Sequence, residues 1–460
     1  MKKGLSQIYH EFSKVKNKGS FAQNVSIVFG GNAINLVLQL IFAPIISRIF
    51  GPEAYGEYAY YNLVISNIGF FAAMSFPSIY LLPKSRYEYF ALAKAVIFSV
   101  VVLTALSLAV FFVFNSQLAF YEGSKAAIPI VIALILINNT NAVLSAWNTR
   151  QKKFRKNTMV DVTSNILSKA GTVTIGYLLL PSGLGLLFGD LIKSGITLMT
   201  QTSNSVRAVF FRFLIKNNWA VIFESVKKYS NVPKFIFPSQ LMSKWTADLP
   251  ILVVGAYYSK EMLGYYVFAA TMLNIPSRLF ENSIKPVMFK KALETFEKDS
   301  SLMPQLFLQT FKYTFWVSIL PAFAIALISP TIFPIVFGQE WRFSGTIVIY
   351  ICIVYVMQAI LAPYTDFWRV LRRERELLVV NVFNVLFKLL PLTLVFFNTD
   401  FKFFLIAYSI SSAVGLLIIL GDLLLYLFPL KKAAVGLLLI FGIVGSVYLT
   451  INYLFLIIYQ

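Results

Sequence analysis

The sequence predicts an all-α polytopic membrane protein. It has two six-helix lobes related by a pseudo-two-fold axis along the membrane normal, plus about one extra C-terminal helix. Three observations predict this. The 460 residues are 58% hydrophobic and only 13% charged, whereas soluble proteins carry roughly a quarter charged residues. The apolar residues fall into thirteen separate runs, each long enough to span a bilayer. A turn and a polar helix pattern recur in the same order in both halves of the chain, as in transporters built by duplication.

A spanning helix needs about 20 mostly apolar residues. That rule places spans near 24–50, 54–82, 88–115, 124–148, 157–180 and 183–206. The second set lies near 235–257, 261–287, 305–337, 342–365, 376–397, 401–428 and 434–458. The domain reading follows: a basic cytoplasmic N-terminus (1–23), an N-lobe (24–206), a cytoplasmic amphipathic linker (207–234), a C-lobe (235–428) and a C-terminal extra span (429–460). The N-terminus is polar and basic and the first apolar run is too long for a signal-peptide core, so no cleavable signal is expected.

The net charge of +20 is explained by where the charges sit. With the N-terminus inside, the inner loops hold Lys84, Arg86, Arg150, Lys152, Lys153, Arg155, Lys156, Lys227, Lys228, Arg369, Arg372, Arg373 and Arg375, among others. The outer loops keep Lys125, Lys260, Arg342 and Lys402. An asymmetry of roughly seven-fold is a positive-inside signal that fixes the orientation. Basic loops beside anionic lipid need no nucleic-acid partner. The outer loops are short, the longest running around Asn115 to Lys125. That leaves no soluble catalytic domain.

The turn Gly51-Pro-Glu-Ala-Tyr-Gly56 closes the first span and opens the second. Proline cannot continue a helix and glycine tolerates the turn. A weak echo, Ser259-Lys-Glu-Met-Leu-Gly264, separates spans seven and eight and matches Glu53 with Glu261 and Gly56 with Gly264. In the fifth and eleventh spans Asn165 matches Asn384 and Lys169 matches Lys388.

Charges within spans are expensive and mark pairing or function. Arg48 lies near the outer end of span one, where it can snorkel. Asp190 and Lys193 lie one turn apart in span six, Lys244 and Asp248 at i, i+4 in span seven, and Arg278 and Glu281 in span eight. Each pair can neutralise itself within its helix. Lys169 and Lys388 have no acidic neighbour at helical spacing, so they need a partner on another helix, water or an anionic ligand. Lys94, Asp161 and Asp422 lie near inner ends. Asn32, Asn35, Gln39, Asn138, Asn139, Thr140 and Asn141 suit either a wet lumen or interhelical hydrogen bonds. A cationic lumen suits an anionic moiety such as phosphate, because Lys and Arg offset its desolvation.

Other chemistry lacks material. One cysteine, Cys352, in an apolar run, and one histidine, His10, outside the spans, leave no metal site, and none is expected. No G-x-x-x-x-G-K-[ST] stretch is present, so no P-loop ATPase and no cofactor is implied.

The stretch Arg48-Ile-Phe-Gly51-Pro-Glu-Ala-Tyr-Gly56-Glu-Tyr58, with Leu81-Leu-Pro-Lys84 and Gly264-Tyr-Tyr, resembles bacterial polysaccharide transporters. These are the Wzx-type flippases for O-antigen, capsule or exopolysaccharide units, in the multidrug/oligosaccharidyl-lipid/polysaccharide exporter (MOP, MATE-like) superfamily. The resemblance implies two six-helix lobes around a central cavity in the bacterial inner membrane. It implies a non-enzymatic flippase that carries undecaprenyl-pyrophosphate-linked oligosaccharide to the outer leaflet by alternating access. Arg48, Lys169, Lys193, Lys244, Arg278 and Lys388 would hold the head group, and Asp190 and Asp248 are candidate ion-coupling residues. Polysaccharide polymerases are the implied partners. The alternatives are a peptidoglycan-precursor (lipid II) flippase or a cation-coupled multidrug exporter of the same superfamily. A membrane polymerase or ligase would be a different class. Such families show twelve or fourteen spans; the thirteen counted here depart from that.

Overall fold

A computed structural model describes residues 21–80, 82–83, 85–114, 126–178, 181–202, 219–230, 232–279, 285–395 and 400–459. Among the described residues thirteen long helices appear, and no strand. They are α1 (Phe21–Ile49), α2 (Pro52–Ala73), α3 (Arg86–Phe114), α4 (Ala127–Arg150), α5 (Phe154–Leu178), α6 (Gly183–Gln201), α7 (Phe237–Tyr257), α8 (Lys260–Leu279), α9 (Met303–Phe337), α10 (Arg342–Leu361), α11 (Glu374–Val395), α12 (Phe401–Leu427) and α13 (Leu430–Tyr459). Each answers to one expected span. By length and composition 8 of them are apolar enough to cross a membrane. The other five are α2, α5, α6, α7 and α8, and these carry most of the charges singled out above.

One span end differs from expectation. The second span, expected to reach 82, stops at Ala73. Met74 and Ser75 then take left-handed backbone (φ 45° and 59°), and a 3-10 turn follows over Phe76–Ile79. Pro77 is the physical reason: it lacks an N–H and biases the residue before it away from helix. The eighth span, expected to reach 287, is helical as far as Leu279, beyond which 280–284 lie outside the described residues; an amphipathic helix then runs Lys285–Lys298 with Pro286 in its first turn. In the linker, the helix Trp219–Lys228 is present; 207–218 lies outside the described residues, as do 1–20 with His10.

The chain divides into two compact units: Met1–Phe50 with Glu57–Pro238, and Gly51–Gly56 with Ser239–Gln460. The first has a core of Tyr61, Tyr80, Tyr89, Leu134, Leu144 and Trp147, all buried. The Tyr89 hydroxyl is satisfied by donating to the Val143 carbonyl at 2.5 Å. The second is built on α10, which is buried along almost its whole length, with Trp341, Tyr364 and Trp368 beside it. In this second unit the two glycines matched by the repeat meet. A Cβ on Gly56 would lie 1.8 Å from the Lys260 carbonyl oxygen, and one on Gly264 would lie 1.7 Å from that of Pro52. Only residues without a Cβ permit such backbone approach. The thirteenth helix packs on α9, α10 and α12, and Tyr448 donates to the Tyr350 carbonyl at 3.0 Å.

The repeat is also visible in one turn. At the end of α4, Gln151 N–H donates to Trp147 O (3.1 Å) and Lys153 N–H to Asn148 O (2.9 Å). Before α11, after the single helical turn Phe367–Val370, Leu371 N–H donates to Phe367 O (2.8 Å) and Arg373 N–H to Trp368 O (2.7 Å). Both turns place a basic residue in left-handed backbone, Lys152 at φ 57° and Arg372 at φ 58°. That is the helix-ending position usually given to glycine, and it costs an L-residue about 1–2 kcal/mol.

Gly345 of α10 tests the packing of the second unit. A Cβ there would lie 2.5 Å from the Ser329 carbonyl oxygen and 2.9 Å from its carbon, and Ser329 Oγ donates to Gly345 O at 2.8 Å. Gly345→Ala is expected to destabilise the protein by about 1–3 kcal/mol, because rigid backbone must move. Thermal unfolding in detergent reads this out; an unchanged midpoint would refute the close α9–α10 approach.

Candidate functional site: a polar cavity in the first unit

Helical periodicity gathers polar side chains onto one face of several helices. On α5 Thr158, Asp161 and Asn165 follow at i, i+3, i+7. On α6 Asp190, Lys193, Ser194, Thr197 and Gln201 do the same, and on α4 Asn138, Asn141, Ser145 and Thr149. Helix α1 adds Asn32 and Asn35, and α2 adds Tyr58 and Asn62.

These faces enclose two adjoining cavities. One, of about 430 Å³, is lined by Gly31, Asn32, Ser145, Thr149, Phe154, Asn157, Thr158, Asp161, Thr197 and Gln201, among others. The second, of about 330 Å³, is lined by Asn62, Asn138, Asn141, Asp161, Asp190, Lys193, Ser194 and Thr197, with Ile65 and Leu134. Asp161 and Thr197 border both.

A hydrogen-bond chain fixes the walls. Asn165 donates to Asn35 Oδ1 at 2.9 Å, and Asn35 Nδ2 donates to Asp161 Oδ2 at 2.5 Å. Lys193 Nζ lies 3.9 Å from Asp161 Oδ1. Tyr58 donates to Asp190 Oδ2 at 2.5 Å. Ser194 donates to Asn138 Oδ1 at 2.7 Å, and Asn141 Nδ2 to Ser194 O at 2.9 Å. Lys169 is half-buried, within electrostatic reach of Asp190 and Lys193. The buried oxygens Asn141 Oδ1, Asn157 Oδ1 and Gln201 Oε1 have no hydrogen-bond partner among the described residues. All three residues line the cavities, where a hydroxylated ligand or water could donate to them.

The expected pairings fare unequally. Lys244 and Asp248 do pair within α7, at 2.7 Å. Asp190 and Lys193 instead take tertiary partners, Tyr58 on α2 at 2.5 Å and Asp161 on α5 at 3.9 Å. Lys388 is 3% exposed; its ammonium donates to the Thr246 carbonyl at 3.2 Å and forms no ion pair among the described residues. Asn384, one turn earlier, is buried against Gly415. Arg48 is exposed in the last turn of α1. Arg278 lies on α8, but its side chain and Glu281 lie outside the described residues. Asp422 accepts from Trp368 Nε1 at 2.7 Å, with Arg373 at 3.9 Å. Of the polar run in α4, Asn139 and Thr140 turn back to their own helix carbonyls; Asn138 and Asn141 face the cavity. Asp161, Tyr58, Ser194 and Thr197 were not singled out as site residues from sequence. The i, i+3, i+7 polar stripes on α5 and α6 are the signal that finds Asp161, Ser194 and Thr197. Among the described residues, no three His, Cys, Asp or Glu side chains group to hold a metal.

The fold and the polar interior define a multi-pass, all-helical membrane protein. The structure titled lipid II flippase MurJ, inward closed conformation, is similar over 93% of this chain and 98% of that one, with a TM-score of 0.62 and 16% identity. An inward-facing multidrug resistance MATE family transporter of the MOP superfamily is similar over 92% and 98%, with a TM-score of 0.59 and 10% identity. The family described as polysaccharide biosynthesis protein matches residues 45–345, and the chain belongs to it. A curated relative is the teichuronic acid biosynthesis protein TuaB of Bacillus subtilis (strain 168), 22% identical over 222 residues. The match spans 46% of this chain and 43% of that protein, less than half its length.

The Asn35–Asp161 bond should show measurable coupling. Asn35→Ala and Asp161→Ala, alone and together, are expected to give an interaction of about 0.5–1.5 kcal/mol in a double-mutant cycle of detergent unfolding. Strictly additive costs would mean that the bond contributes nothing.

Proposed function

We propose that this protein is a flippase. It moves undecaprenyl-pyrophosphate-linked oligosaccharide repeat units from the cytoplasmic to the outer leaflet of the bacterial cytoplasmic membrane, with its own N-terminus cytoplasmic. The observation that supports this most is the polar, lysine-bearing cavity inside a helical unit of a polysaccharide-biosynthesis family member. The physical problem is the head group. An isoprenoid tail is at home in hydrocarbon, but a diphosphate and several sugars cannot cross a core of about 30 Å unaided.

The cavity supplies what such a head needs. Lys193 and Lys169 offset the diphosphate charge. Carboxamides and hydroxyls of Asn62, Asn138, Asn141, Ser194 and Thr197 replace water around sugar hydroxyls. Lys244, Lys388, Arg278 and Arg48 add cations elsewhere along the chain. Asp190 and Asp248 sit beside lysines and are the candidates for ion coupling. No bond is made or broken; the work is transfer by alternating access, and polymerases act on the delivered units.

In a strain lacking the protein, lipid-linked units are expected to accumulate on the cytoplasmic leaflet. The intact gene should relieve this. Lys193→Ala and Lys169→Ala proteins should reach the membrane but leave the units inside. Normal delivery of unpolymerised units to the outer leaflet in the deletion strain would instead identify a downstream enzyme. Full rescue by both variants would remove these lysines from the head-group site.

A further inference from the structure

The paired turns that end on Lys152 and Arg372 are unexplained by the fold. Their left-handed position favours glycine, and Asn or Asp are the side chains that tolerate it best. Two of the longest cationic side chains stand there instead, once in each half of the chain, with φ 57° and 58°. Sites that keep disfavoured backbone are where function is to be sought.

Several neighbouring cations have structural employment; Lys153 and Arg155, like Lys152 and Arg372, form no side-chain hydrogen bond or ion pair among the described residues, but of these four only Lys152 and Arg372 stand on left-handed backbone. Arg150 donates to the Pro83 carbonyl and lies over the Tyr89 ring; Lys156 donates to Gln201 O at 2.7 Å. Arg369 pairs with Asp366 at 3.3 Å, and Arg373 with Glu376 at 3.1 Å. Lys152 and Arg372 are exposed, and their side chains form no hydrogen bond or ion pair among the described residues. A requirement for positive charge on the cytoplasmic face would be met equally from an unstrained position nearby. Strained backbone and idle charge together point to a ligand that the two side chains meet. For Lys152 the place is informative too: Thr149 and Phe154, on either side of it, line the cavity of about 430 Å³. The left-handed turn thus lies between two residues of the cavity wall.

We propose that Lys152 and Arg372 are phosphate-docking residues, each engaging the diphosphate head of a polyprenyl lipid at the inner leaflet, Lys152 at the rim of the first unit's cavity. This deepens the flippase reading and rests on it. The shared chemistry is a phosphate ester in the membrane surface; its source is the polyprenyl diphosphate rather than bulk anionic phospholipid.

The test uses the full-length protein in detergent with Lys152→Gly, Arg372→Gly, the double variant and the conservative Lys152→Arg. Unfolding without ligand should show the glycine variants melting at or above the parent, since glycine relieves the backbone. Undecaprenyl pyrophosphate and phosphatidylglycerol are then titrated separately, with binding read from tryptophan fluorescence. The glycine variants should bind undecaprenyl pyrophosphate about tenfold or more weakly, the size of a lost charge-assisted hydrogen bond. Lys152→Arg should bind it as the parent does, and phosphatidylglycerol affinity should not move. Parent-like binding by the double variant would overturn the proposal, as would an equal loss for both lipids or no binding by the parent. If the parent binds undecaprenyl pyrophosphate and loses it on Lys152→Gly, yet moves no lipid between leaflets, the flippase reading fails and the docking site stands. If lipid moves and the double variant binds normally, the reverse holds.

Discussion

A polar group placed in an apolar helix must find a partner, because lipid supplies none. Most of the first unit's organisation follows from that constraint. Asn165, Asn35, Asp161 and Lys193 form one chain across α5, α1 and α6, and Tyr58 ties α2 to Asp190 of α6. These bonds tie α2, α5 and α6, which are not among the helices apolar enough to cross a membrane, to one another and to α1. They also leave carboxamide and hydroxyl groups turned toward space instead of lipid. The same satisfaction rule thus stitches the helices and lines a polar volume. In the second unit the rule has a different solution. Lys388 rests on a backbone carbonyl, and Lys244 and Asp248 neutralise each other.

How far the sequence could be read depended on how local each signal was. All thirteen long helices were legible, because span length and apolarity are properties of contiguous residues. The Lys244–Asp248 pair was legible for the same reason, since helix geometry alone brings i and i+4 together. The partners of Asp190 and Lys193 were not. Tyr58 and Asp161 lie 132 and 32 positions away in sequence, and nothing in a one-dimensional pattern ranks a tertiary hydroxyl or carboxylate above a neighbour one turn off. The carbonyl under Lys388 was hidden more completely, because every residue carries one. The end of the second span failed through Met74 and Ser75. Their left-handed backbone stands just ahead of Pro77, with Phe76 and Tyr80 buried in the core, and no glycine announces the break.

The repeat carries information at two scales. Gly56 and Gly264 are matched in sequence and meet in the structure, where neither position has room for a Cβ. Lys152 and Arg372 are matched in conformation, down to the same hydrogen-bonded helix ending. The first pair is explained by packing alone. The second runs against backbone preference and so calls for chemistry outside the chain. In a family concerned with polysaccharide biosynthesis, a phosphate-bearing lipid is the ligand whose charge fits.

Purified protein reconstituted into vesicles, with a fluorescent undecaprenyl-pyrophosphate oligosaccharide in both leaflets and a membrane-impermeant quencher outside, measures head-group translocation most directly. Quenching should pass from the half that is exposed at once to nearly the whole signal in the presence of the protein, and should slow markedly with Lys193→Ala. A quenched fraction that stays at half, in vesicles shown to contain folded protein under both an imposed proton and an imposed sodium gradient, would contradict the assignment of this cavity to lipid-linked sugar transport.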